Sequence, residues 1–289
     1  MASILLLCYA EVIAGREKEH SWRLHLEGAA SLLSCDSSIW SIYSAIRCRA
    51  LIARCFVSLV AMAHISGRPP SAVSAAQGLR LIGGGTLTPY LDDFLGYSPD
   101  LVYKFCEIGT LISQRAHLVA GKDLLSTRQL DLKSTSLIRE LDAMINRAHA
   151  VLPAGNQEHI FANESYHHAA ILQIQLRVRR LSPADDHVQN TVQRIISLLS
   201  RISLHSGPCL GVVLYFPLFT AGCCSTRQAD RDRISAMLQQ MVQIFRFRNI
   251  QRGIEVLKGF WLQWDQYRES TLSTPWETFI DENYDLILY

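Results

Sequence analysis

A chain of 289 residues, 49% apolar and 19% charged, is long enough to bury a large core and too apolar to stay disordered. Twenty-eight basic residues against 26 acidic ones leave a net charge of +2, which excludes the broad basic footprint of a nucleic-acid surface. The short clusters Arg179-Arg180 and Arg227–Arg233, the second interrupted by Asp230 and Asp232, read as solvated helix faces.

The predicted elements are helices throughout. Residues 4–13 form a short apolar helix that meets Glu11 without a basic leader, so no signal peptide is expected. Ser21 is placed to cap a second helix whose stripe is Trp22, Leu26, Ala29 and Leu33, with His25 beside it. Residues 46–64 make a third helix, burying Ile52, Phe56, Leu59 and Ala63. Residues 66–99 hold six glycines together with Pro69, Pro70 and Pro89, so a long loop is expected, returning to the core at Asp92 and Asp93. Gly83-Gly84-Gly85 lacks the Lys-Ser/Thr and the strand–helix setting of a phosphate loop. Ser98-Pro99 starts a helix with Leu101, Phe105, Ile108, Ile112 and Val119 inward, and Leu137, Leu141, Met144, Ala148 and Leu152 mark the next.

Residues 164–223 are the centre of the pattern. Around the first helix wheel, His167, Ala170, Ile171, Ile174, Val178 and Leu181 share one stripe, while His168, Gln175 and Arg179 lie on a wetter flank. Ser182-Pro183-Ala184-Asp185 reads as the start of a second helix with Ser182 as cap. Its stripe is Val188, Val192, Ile195, Leu199 and Ile202. Residues 209–222 are almost uncharged and are expected to be the central buried segment. Two amphipathic helices follow, the first on Ile234, Met237, Leu238, Met241 and Phe245. The second is capped by Asn249 and carries Ile250, Ile254, Leu257, Trp261 and Trp264. The expected fold is an all-α, single multi-helix array of about nine or ten helices, forming one domain over residues 1–289.

These pieces also carry a resemblance. A tyrosine-led helix running into RVRRL, a proline-started helix ending LLSRI, then FPLFTAGC, DR and a last helix with tryptophan near its end follow in order. LLLCYAEV (residues 5–12), WRLHLEGAASLL (22–33) and LDDFLGYSPDLV (91–102) agree with them. The chain resembles the fungal-specific transcription factor domain, the helical regulatory part of fungal zinc-cluster transcription factors. The resemblance implies a fold and an ancestry. That family binds DNA through a six-cysteine module, which has no counterpart in this sequence. The eight cysteines include no Cys-x-x-Cys pair and sit in apolar helical patterns, so they read as buried free thiols in a reducing compartment.

No high-specificity catalytic motif is present. The candidate site is therefore built from ionisable residues in unexpected places. His167, on the buried stripe beside Tyr166, is the candidate general base, with Glu164 and Asp93 as further catalytic candidates. Tyr166, Tyr97, Asp92 and His25 are the candidate substrate contacts. The alternative for each is structural: a core histidine satisfied by one hydrogen bond, and turn or cap chemistry for the aspartates. Three functions compete. One is a stand-alone enzyme, a cofactor-independent and metal-free cyclase closing an α-pyrone on a free or carrier-bound polyketide. The second is the effector domain of a zinc-cluster regulator, and the third a non-catalytic binding protein. Neither direct nucleic-acid binding nor a membrane partner is expected, and a homodimer is left open. A cytoplasmic location is expected for the enzyme, a nuclear one for the regulator.

Overall fold

The computed structural model describes residues 2–14, 21–35, 49–66, 91–92, 95–118, 124–151, 157–207, 209–267 and 279. The chain order is α1 (Ala2–Ala14), α2 (Ser21–Cys35), α3 (Arg49–Ser66), α4 (Asp100–His117), α5 (Leu124–Val151), α6 (Gln157–Gln173) and a π-helical segment (Ile174–Val178). Then come α7 (Asp186–Leu199), a 3-10 turn (Leu210–Leu214), α8 (Tyr215–Cys224), α9 (Gln228–Phe245) and α10 (Arg248–Tyr267). The protein is all-α, with ten α-helices among the described residues, as the periodic stripes indicate.

The centre is α8. Every residue from Tyr215 to Cys224 is buried, and the helix packs against α6, α7, α9 and α10. This accounts for its lack of charge: a helix covered on all sides has no face left for water. Around it one continuous apolar cluster runs from Leu5 to Phe260. α1 pairs with α2, and α3 pairs with α4.

Two local expectations are corrected. Ser182 does not cap α7. The chain makes one more turn, with the Asp185 amide donating to the Ser182 carbonyl, and Asp185 becomes the cap, its Oδ1 accepting from the His187 amide at 2.9 Å. The helix led by Tyr166 is also not uniform. It begins at Gln157, loosens into a π-helix over Ile174–Val178, and ends at Arg180 in a left-handed conformation with φ 56°. The Arg179 amide donates to the Ile174 carbonyl, five residues back. The extra residue in that turn rotates the wheel, so Gln175, expected on the wet flank, is buried and Arg177 enters the core.

Close helix approach gives a direct test. A Cβ at Gly109 of α4 would lie 2.6 Å from the His64 carbonyl oxygen and 3.0 Å from its carbon, both backbone atoms of α3. Backbone cannot rotate away as a side chain can. Gly109→Ala is expected to lower stability by about 3 kcal/mol through overpacking, read as a shift of the urea midpoint at unchanged slope. An unchanged midpoint would mean that the α3–α4 approach is softer than described.

Candidate functional site

The sequence-selected residues lie on different sides of α6. On one side, the turn at residues 95–98 rests on the helix. The Ser98 amide donates to Asn163 Oδ1 at 2.9 Å. The rings of Tyr97 and Tyr166 lie 4.5 Å apart, and Phe105 and Phe216 complete an aromatic group around Tyr166. The Tyr166 hydroxyl donates to the Val213 carbonyl of the 3-10 turn. Asp92 is buried. Its Oδ1 accepts from the Leu95 amide at 3.1 Å and its Oδ2 from Arg54 Nε at 2.5 Å, so it closes the turn and ties it to α3. Between these groups is a cavity of 10 Å³, lined by Ser58, Met62, Leu95, Tyr97, Tyr166 and Val213. It has room for about one water molecule.

His167 is fully buried. Its Nδ1 sits 2.7 Å from the Asn163 carbonyl oxygen, one turn back. A carbonyl only accepts, so Nδ1 carries the proton and Nε2 presents a lone pair. Nε2 has no hydrogen-bond partner. Burial pushes the imidazole down to about 4, outweighing the Asn163 hydrogen bond, and holds it neutral at neutral pH. His167 lines neither the small cavity nor the larger pocket described next.

That pocket is on the opposite flank of α6. Glu164 is 3% exposed, yet its carboxylate meets three donors from three helices. His149 Nε2 of α5 lies at 2.7 Å, His168 Nε2 of α6 at 3.3 Å, and Arg194 of α7 reaches it through Nε at 2.7 Å and Nη2 at 2.6 Å. Burial alone would raise the carboxyl. The hydrogen bonds from His168, Arg194 and His149 overcome it and hold Glu164 down at about 2. An anion so held is a weak base and a strong anchor. Asp142 and Asn146 of α5 complete the walls of an open pocket of 440 Å³. His149 and Arg194 carry no motif and sit 15 and 30 residues from Glu164, so helix periodicity could not assemble them.

The other candidates stand apart. His25 of α2 meets Glu11 of α1 at 3.1 Å, a tie within that helix pair. Asp93 lies outside the described residues, as do residues 67–90 of the glycine-rich loop, Val119 and Leu152. Cys8, Cys55, Cys106, Cys209, Cys223 and Cys224 are not joined in disulfides. Among the described residues, no group of three His, Cys, Asp or Glu is arranged to hold a metal ion, and no helix is long and apolar enough to cross a membrane.

The DR and tryptophan elements form a latch. Arg231 of α9 donates through Nε to the Ser225 carbonyl at 3.0 Å and bidentately to Asp265 of α10 at 2.6 and 3.0 Å. Its guanidinium lies 5.5 Å from the ring centre of Trp261, whose Nε1 donates to the Gly222 carbonyl at 2.8 Å. One arginine thus joins the end of α8, α9 and α10, which explains why these residue types occur together.

Comparison with curated proteins gives no match, and comparison with solved structures gives none. The family profile described as the fungal specific transcription factor domain matches residues 1–289, and with the helical array, the buried α8 and the Arg231 latch in view, this chain belongs to that family.

Proposed function

We propose that the chain acts as the regulatory, effector-type domain of a fungal transcription regulator, working in the nucleus together with a DNA-binding module. The observation that carries this reading is the family match over residues 1–289. The site geometry supports it. Asp92, Glu164 and Arg231 are each engaged in ties between elements, as expected where helix arrangement transmits a signal. The test is a fusion of residues 1–289 to an unrelated DNA-binding module, read on a reporter. Reporter output is expected to change at least about fivefold, the low end of an ordinary coupling energy. Arg231→Ala, which breaks the latch, is expected to abolish the change. Output that never departs from that of the DNA-binding module alone rules this reading out.

A second reading, the α-pyrone cyclase, draws on one observation: His167 is neutral and its Nε2 has no partner. As a base it would remove an acidic proton from a 3,5-diketo acyl thioester; the enol oxygen would bond to the acyl carbon, the carbon–sulfur bond would break, and the imidazolium would return the proton to the departing thiolate. The purified chain would then lactonise a 3,5-diketo acyl thioester, and His167→Gln would slow turnover about a hundredfold. A folded His167→Gln protein with wild-type turnover removes His167 from this chemistry.

A further inference from the structure

The pocket on the outer flank of α6 contains a carboxylate–imidazole pair, Glu164 and His149, whose imidazole neither reading uses. Glu164 is ionised and its oxygens only accept, so His149 must donate from Nε2 across the 2.7 Å contact. In the neutral ring the proton is therefore on Nε2 and the lone pair on Nδ1, and the side chain is 44% exposed. His168 meets the same carboxylate at a longer distance, 3.3 Å, and is only 18% exposed. Of the two imidazoles, His149 is the better oriented and the more accessible. Arg194 is 52% exposed, and holding Glu164 through Nε and Nη2 leaves it further N–H groups for an oxyanion. The pocket volume of 440 Å³ suits a small molecule. With Asp142 and Glu164 facing one guanidinium, an anionic ligand is disfavoured and a neutral one is admitted.

We propose that this pocket is an acyl-hydrolysis site for small neutral esters and thioesters, with His149 as general base, Glu164 as its positioning residue and Arg194 as oxyanion donor. Nδ1 of His149 takes a proton from a water molecule while the water oxygen bonds to the acyl carbon. The carbonyl electron pair moves to oxygen, facing Arg194. As the tetrahedral intermediate collapses, the bond to the leaving oxygen or sulfur breaks, and the imidazolium returns its proton to that atom. The products are a carboxylic acid and an alcohol or thiol, with no redox change. This inference goes beyond the regulatory reading, and the reporter fusion can succeed or fail with either outcome here.

The probe is p-nitrophenyl acetate, with the full chain. The ten histidines of the chain set an upper bound on the background of simple imidazole catalysis. The protein is expected to saturate with substrate and to exceed ten equivalents of free imidazole by about a hundredfold. His149→Ala, a change at a half-exposed position, is expected to fold normally by circular dichroism and to fall to background, with added imidazole restoring part of the rate. Glu164→Gln is expected to lower kcat about tenfold at unchanged KM, a split that loss of structure alone would not produce. Because Glu164 also joins three helices, His149→Ala is the deciding variant. A wild-type rate no greater than that of ten imidazoles overturns the proposal, and so does a His149→Ala protein as fast as wild type.

Discussion

Arg177→Ala is expected to destabilise the protein by about 4 kcal/mol, the largest effect of any single substitution considered. Arg177 is 1% exposed and among the largest fully buried side chains. Its Nη1 donates to the Ile65 carbonyl at 2.8 Å and to Gln173 Oε1 at 3.3 Å. Ile65 is in the last turn of α3, where carbonyls lack intrahelical partners and carry the negative end of the helix dipole. Alanine would therefore leave a void in the core and an orphaned carbonyl together. Arg177→Met separates the two. Methionine keeps most of the volume and removes the buried charge, so it is expected to lose only about 2 kcal/mol, mostly from the carbonyl. Urea unfolding of both variants measures the difference. Equal losses would show that packing contributes nothing, and no loss from either would show that Arg177 does not hold α3 to the π-helical segment.

Acid unfolding is expected to proceed over two pH windows, each assigned to one residue of α6. The folded pKa of His167 is about 4, below the ordinary 6.5, because burial disfavours the imidazolium. Between these values the unfolded chain binds a proton that the folded protein does not, so stability falls as pH drops from 6.5 to 4. The full window corresponds to about 3 kcal/mol. Glu164 has a folded pKa of about 2 against an ordinary 4.5, so its contribution is complete above pH 4.5 and lost as pH falls to 2. Arg194 and His149 are about half-exposed, so solvent screening reduces that contribution to about 1–2 kcal/mol. His167→Gln should flatten the upper window and leave the lower one, and Glu164→Gln should do the reverse. Urea midpoints at pH 7, 5 and 3 make the comparison. If the upper window survives in His167→Gln, the imidazole is not the group that titrates.

The two windows also bear on function. His167 is a core histidine whose one hydrogen bond leaves a lone pair over, and Glu164 is an anchor before it is anything else. Neither follows from a helix wheel, which places a residue on a face without saying what that face meets.

The sequence by itself determined the helical class and most of the helices, because periodicity of apolar residues is a local property that each segment carries alone. It also determined that residues 209–222, the stretch from which most of α8 is built, are central: with no charged side chain, that segment has nothing to turn toward water. Cap and turn positions were only partly legible. Ser182 and Asp185 both have capping side chains, and the choice of Asp185 depends on where the preceding chain arrives. Tertiary structure alone decided the π-helical turn and the burial of Arg177, since a one-residue change of phase is stabilised by α3 and has no local signature. It alone assembled Glu164 with His149 and Arg194, because no sequence period links positions on three helices. It also separated residues that the candidate site had grouped, sending Tyr166 toward the turn at residues 95–98 and Glu164 toward α5 and α7. The physical reason is that a helix faces several neighbours at once: sequence spacing sets which side chains share a direction, and packing decides which partner waits there.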